Sequence, residues 1–221
     1  MPTAAPTTGT AEAFVPATHT LTALRAAAQG CRGCELYRHA TQTVFGAGRA
    51  HAPLFFVGEE PGDQEDRTGK PFVGPAGKLL RTTLDEVGIA PADAYITNAV
   101  KHFKFVERGK RRIHQSPKRY EVKACRPWLE AELDAVKPKL VVALGATAAQ
   151  SLLGPSFKLT PNRGKLVSAD IAPHVIATVH PSSILRAIDD DQRHRQLLAF
   201  RADLIAVCAA LKRIGSAPRP Q

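Results

Sequence analysis

Four short apolar runs, interleaved with stretches of helical periodicity, constrain this chain more than any other feature. They lie at residues 53–58, 94–97, 139–145 and 174–179, and each leads into a polar motif. Runs of this length without polar alternation suit strands buried on both faces. The helical stretches fall at 76–87, 118–136, 147–153 and 192–212, with a first helix at 20–29 that stops at Gly30. Pro127 is expected to break or restart the 118–136 helix, because proline removes a backbone donor. Strands alternating with helices predict a three-layer α/β/α domain around a central four-stranded parallel sheet. Residues 1–17, rich in Ala, Pro and Thr, read as a disordered tail. The domain is expected at 18–213, followed by a short tail at 214–221.

No stretch approaches the roughly eighteen consecutive apolar residues of a membrane-spanning helix. The first residues lack a basic start followed by an apolar run, so the expected compartment is the cytoplasm. The charge is concentrated. Ten Lys or Arg residues and two acids, Glu107 and Glu121, fall between Lys101 and Arg126, placing +8 of the net +10 in this segment. Such a patch suits a polyanion, because neutralised phosphates release counterions. A solvated basic loop without a partner is the plainer reading.

Ligands of parallel sheets bind at the carboxyl ends of the strands. Two of the motifs there carry chemistry. The segment 58–66, GEEPGDQED, packs five carboxylates into eight positions. Carboxylates so placed could bind Mg²⁺, activate water or a nucleophile, stabilise a cation developing on a sugar, or simply cap a solvated turn. His180, Pro181, Ser182 and Ser183 follow the last strand. The hydroxyls and backbone N–H groups suit a phosphate, and His180 would face the same crevice.

Cys31 and Cys34 form a C-x2-C pair just after a helix. A thioredoxin-like pair would instead follow a strand and open a helix, so a metal knuckle or half of an iron–sulfur site fits better. Cys125 could supply a third thiolate and His102 an imidazole, whereas Cys208 sits among Ala and Val residues as a small core side chain. Three thiolates and an imidazole suit zinc or an iron–sulfur cluster, and spacing does not choose between them.

Taken together, Cys31-x2-Cys34, the acidic motif at 58–66, GxPFVGPAG at 69–77, YITN at 95–98, CRPW at 125–128, LGAT at 144–147 and HPSSxLR at 180–186 resemble the iron–sulfur (family 4) uracil-DNA glycosylases. The segment KRRIHQSP at 110–117 resembles the histidine-bearing loop of their UdgX branch. The resemblance runs in order from about residue 21 to 211. It implies a uracil-DNA glycosylase fold and a monomer acting on uracil in single- or double-stranded DNA, without membrane attachment. It also implies a 4Fe–4S cluster on Cys31, Cys34, His102 and Cys125, with His102 standing where ordinary family 4 chains have Cys.

The roles it implies are specific. Phe72 stacks on uracil, Asn98 matches its N3–H and O4 edge, and Glu60 and Asp63 complete the base site. His180 stabilises charge on uracil O2, and Glu59 stabilises the oxocarbenium-like sugar. Lys101, Arg111, Arg112, Ser182, Ser183 and Arg186 are the expected DNA contacts. His114 is the expected nucleophile, leaving a covalent protein–DNA adduct, with Glu59 as the carboxylate behind its ring. Water-based turnover, metal-dependent phosphoryl transfer and non-catalytic DNA binding are the competing functions. The chain departs from the UdgX pattern at one place, carrying Glu60 where Gln is usual. A carboxylate there would oppose the leaving anion unless it turns away or is protonated.

Overall fold

A computed structural model describes residues 9–216. In chain order the helices and strands are α1 (Leu21–Ala28), β1 (Leu54–Gly58), α2 (Asp63–Thr68), α3 (Pro75–Glu86), β2 (Ala94–Asn98), β3 (Phe105–Arg108), β4 (Arg111–His114), α4 (Arg119–Val136), β5 (Leu140–Leu144), α5 (Ala146–Leu153), α6 (Leu159–Asn162), β6 (Leu166–Ala169), β7 (Ala172–Thr178), α7 (Pro181–Leu185) and α8 (Asp190–Ser216). The sheet runs β2-β1-β5-β7-β6. Its first four strands are the four expected and are mutually parallel. The fifth, β6, joins β7 antiparallel at the edge and was not expected.

Alternate side chains of each strand enter opposite layers. Phe55, Val57, Val141, Ala143, Val175 and Ala177 pack with Leu129, Leu133 and Leu152 of α4 and α5. Leu54, Phe56, Val142, Leu144 and Ile176 pack with Leu80 and Leu84 of α3 and with Phe200, Leu204 and Val207 of α8. A third cluster joins α1 to α4 through Leu24, Ala28 and Trp128, and it contains Cys31, Cys34 and Cys125.

Four further expectations need correction. Helix α4 runs through Pro127 without a break. Cys125 and Trp128 on either side of the proline are buried, so tertiary packing holds the helix together there. The basic loop is in large measure a separate two-stranded sheet. β3 and β4 pair antiparallel, with Arg108 opposite Arg111, around a two-residue turn in which Gly109 takes φ 59°. The described portion of the expected N-terminal tail is packed. The Ala11 N–H donates to the Ala124 carbonyl at 2.7 Å, and Ala11 is buried beside the cysteines. Helix α8 continues to Ser216, past the expected boundary at 213. Residues 1–8 and 217–221 of the expected tails lie outside the described residues. No described helix is long and apolar enough to cross a membrane.

Candidate active site

The sheet order reverses between β1 and β5, since β1 leads outward to β2 and β5 leads outward to β7. A crevice opens at such a switch point, beyond the strand ends. The segments that follow β1, β2, β5 and β7 meet there.

Phe72 supplies an aromatic wall. It is buried, and its ring centre lies 5.8 Å from that of His180. Its backbone is held at φ 55°, an uncommon conformation for a bulky side chain. Two features keep it there. Arg81 Nη1 donates to the Phe72 carbonyl at 2.5 Å, and Gly77 passes so close that a Cβ would lie 1.8 Å from that oxygen. Gly58, the last residue of β1, leaves room for the same ring and for Asn98. A Cβ there would stand 2.3 Å from Asn98 Oδ1 and 2.6 Å from the Phe72 ring. Asn98 ends β2, and its Oδ1 is buried with no hydrogen-bond partner. An unmet buried acceptor beside an aromatic face suits the donor edge of a planar ligand.

His180 is set by the turn that opens α7. Its Nδ1 accepts from the Ser182 N–H at 3.2 Å and lies 2.8 Å from Ser182 Oγ. Burial brings its pKa down to about 4, so the ring is neutral. With Nδ1 serving as acceptor, the ring proton belongs on Nε2, which leaves Nε2–H as a donor. The two serines are engaged inside the turn. Ser182 Oγ also accepts from Arg186 Nη1 at 3.0 Å, and Ser183 Oγ donates to the His180 carbonyl at 2.8 Å. Their hydroxyl groups order the turn, while Arg186 stays exposed.

Of the five clustered carboxylates only two reach the crevice. Glu65 accepts from the N–H groups of Gly62 and Gly74. Asp66 accepts from the Thr41 N–H and from Arg112. Asp63, expected at the base, instead accepts from Arg67 at 2.8 Å and from Arg112. Those three therefore anchor loops. Glu59 accepts from Thr147 Oγ1 at 2.6 Å, and its charge acts on both His180 and His114. Glu60 Oε1 stands 3.0 Å from His114 Nε2. The carboxylate beside the His114 ring is thus Glu60 and not Glu59. The chain bends at Glu59, just past the end of β1, and the two adjacent side chains meet different partners.

The hairpin carries His114 to this mouth, where its ring lies 6.0 Å from that of Phe103. Arg112 fixes the hairpin. It pairs with Asp63 and Asp66 (2.7 Å) and stacks over Phe103 and Phe105 at 5.4 and 4.9 Å. These contacts correct its expected role as a phosphate grip. Arg111 remains exposed. Lys101 requires a clearer correction, because it is wholly buried. Its ammonium pairs with Glu132 and donates to Thr97 Oγ1 at 2.8 Å and to the Asn98 carbonyl at 2.7 Å. It braces the strand end that presents Asn98 and touches no DNA surface. Nothing in the local sequence separates this lysine from the exposed basic residues that follow it. Thr147, which holds Glu59, was likewise missed within LGAT.

The three cysteines share one buried cluster, and the charges of Cys31 and Cys34 both act on Cys125. Burial pushes the Cys125 thiol up to about 12, against the opposing charge of Lys101. N–H donors aim at the sulfurs, from Trp128 Nε1 to Cys31 at 3.1 Å and from the Lys101 backbone to Cys125 at 3.3 Å. His102 is buried and neutral, its pKa brought down to about 4 by burial. Its Nε2 lies 2.9 Å from Thr43 Oγ1, whose proton goes to the Ala28 carbonyl, so Nε2 is the donor and Nδ1 keeps its lone pair. Among the described residues no three His, Cys, Asp or Glu side chains are arranged to hold one metal ion. A four-iron cluster interposes its own atoms between its ligands, so its donors stand farther apart than those of one tetrahedral ion. A buried set of three thiols with N–H groups aimed at sulfur fits that group.

A parallel sheet with a switch-point crevice, an aromatic wall and an asparagine edge defines a base-handling class of enzyme. The family model described as the uracil DNA glycosylase superfamily matches residues 45–204, and the chain belongs to that family. It is a DNA N-glycosylase of the uracil-excising kind. Over 164 residues it is 38% identical to the type-4 uracil-DNA glycosylase of Thermotoga maritima, spanning 74% of this chain and 82% of that one. The type-4 enzyme of Pyrobaculum aerophilum is 34% identical over 72% of this chain and 81% of its own. That of Archaeoglobus fulgidus is 36% identical over 70% and 78%.

Proposed function

We propose that this enzyme excises uracil from DNA and then remains joined to the abasic sugar through His114. The observation that carries this reading is the placing of His114. A separate hairpin, clamped by Arg112, brings an imidazole to the crevice mouth within 3.0 Å of Glu60 and within the field of Glu59. The base must leave the stack to reach the crevice. Phe72 stacks on it, and the unmet Oδ1 of Asn98 accepts its N3–H while the amide N–H donates to O4. As C1′–N1 breaks, the Nε2–H of His180 stabilises negative charge on O2, and the Glu59 carboxylate stabilises the cationic sugar. Burial holds His114 below the usual imidazole range, so the ring is neutral and nucleophilic at neutral pH.

The same reading assigns Cys31, Cys34, His102 and Cys125 to a 4Fe–4S cluster, which ties α1, the segment after β2 and α4 together. Exposed Arg108, Lys110, Arg111 and Arg186 face the DNA backbone. The enzyme acts as a monomer in the cytoplasm.

The test uses uracil-containing single-stranded DNA in EDTA, followed by denaturing SDS electrophoresis. Wild type should shift with the DNA after heating. His114→Ser should release uracil without the shift, because Ser lacks a base to activate it. Uracil release by wild type with no stable adduct would favour the second reading, in which water attacks and the enzyme turns over. The similarity to enzymes named type-4 uracil-DNA glycosylases supports that alternative.

A further inference from the structure

Glu60 is the least satisfied polar side chain at the site. Its carboxyl is fully buried, and neither oxygen has a partner of hydrogen-bond geometry. His114 Nε2 lies 3.0 Å from Oε1 on a half-exposed ring, and the backbone N–H of Lys104 is the one donor that favours the charged form. The charged groups around it offer little help. Glu59, on the same segment, opposes a second negative charge, as does Glu121 of α4. Lys104, just before β3, is the cation on this side, and its Nζ is already held by Glu121 at 2.7 Å. Arg186, after α7, disfavours charge on His114 itself. An anion in this position would lack solvent and would have only the engaged Lys104 to offset it.

We propose that Glu60 works as an uncharged carboxylic acid, a stand-in for a carboxamide, whose O–H donates to Nε2 of His114 and positions the nucleophilic ring. This rests on the reading that His114 is the nucleophile. One proton lies between the two groups. Burial, followed by the charge of Glu59, pushes the Glu60 carboxyl up to about 10, while burial holds the imidazole below its usual range. The proton therefore resides on Glu60, and the ring keeps its own proton on Nδ1. At 3.0 Å the two groups are close but out of line, so the half-exposed ring turns to accept, and the bond then fixes its plane and tautomer. It must open when the sugar arrives, which frees the Nε2 lone pair for C1′. Glu60 is in this sense a positioning residue. Its ionisation would remove the donor and draw the ring proton from Nδ1 to Nε2, occupying the nitrogen that is to attack C1′.

The experiment compares wild type, Glu60→Gln and Glu60→Ala on uracil-containing single-stranded DNA, scoring adduct formed per uracil released from pH 6 to 11. Gln keeps an N–H donor, so it should match wild type at pH 7, whereas Ala should divert the reaction toward free abasic sites. Above the Glu60 midpoint the wild-type ratio should fall, by about tenfold per pH unit for a single titration, while Glu60→Gln stays flat. A Gln variant that loses the adduct at pH 7 would show that a negative charge is required and would overturn the proposal. So would parallel wild-type and Gln profiles. A second measurement needs no reaction. The infrared difference between wild type and Glu60→Gln at pH 7 should contain a protonated-carboxyl carbonyl band, and carboxylate bands alone would overturn the assignment. A wild type that shows this band but makes no adduct would sink the covalent reading and leave the protonation state of Glu60 standing.

Discussion

Two buried carboxylates near the ends of the parallel strands meet opposite treatment. Glu132 of α4 accepts from the Tyr95 hydroxyl at 2.9 Å, the Gly46 N–H at 3.0 Å and Thr97 Oγ1 at 3.0 Å, and it pairs with Lys101. Even the backbone yields to it, since a Cβ on Gly46 would stand 2.4 Å from its Oε1. The Glu60 side chain is equally buried and receives no side-chain donor of hydrogen-bond geometry. Burial alone therefore does not mark a functional acid. What marks it is a missing partner: the saturated carboxylate braces Asn98, and the unsatisfied one lies beside the group expected to react.

The comparison breaks most sharply at Lys101. Removing one partner of a buried ion pair leaves an uncompensated charge, so Lys101→Ala should cost about 3–5 kcal/mol in denaturant unfolding. A loss below about 1 kcal/mol, the level of an exposed pair, would refute the structural role of the pair. Asn98→Ala should show the converse pattern. It removes a matched edge from a desolvated pocket, which should cost on the order of 2–4 kcal/mol in kcat/KM on uracil DNA. Its midpoint of unfolding should stay close to wild type.

Glu60→Gln should act with the opposite sign, a gain in stability. The folded carboxyl titrates near 10 and the unfolded one near 4.5. Its stabilising contribution is complete below the lower value and drains away as pH rises toward the upper one. The thermal midpoint of Glu60→Gln should therefore exceed that of wild type by a margin that widens from pH 5 to 9. A constant margin would remove the titration from Glu60. The smallest effect belongs to the exposed hairpin face. Arg111→Ala should leave stability unchanged and flatten the plot of log affinity against log salt by roughly 0.7–0.9, the share of one phosphate contact. An unchanged slope would move the DNA path away from β4.

The parallel strands were legible because each is apolar on both faces, and their helices carry the matching periodicity. The hairpin was not. Val106 and Ile113 alternate with charged residues over only four positions each, so short strands outside the main core read as loop. The edge strand β6 is hidden for the same reason of length. At the site the motifs named nearly every contributing segment. They did not show which way adjacent side chains turn. Glu59 and Glu60 are indistinguishable in sequence, yet one meets Thr147 and the other His114. Lys101 and Arg112 counted as surface charge until the fold supplied Glu132, Asp63 and Asp66 from distant positions.

The hairpin also has a mechanical consequence. β3 and β4 pair only with each other and share no ladder with the five-stranded sheet. Were a DNA strand joined at His114 as proposed, any tension would enter at the last residue of β4, next to the bond from the Gln115 N–H to the Lys104 carbonyl at 2.9 Å. That is the open end, so the rungs would separate in succession, as in unzipping, instead of resisting together in shear. The Arg112 ion pairs would yield next. A pull from passing machinery would thus be absorbed as slack in this arm, while Phe72, Asn98 and the sheet that carries them bore little of the load.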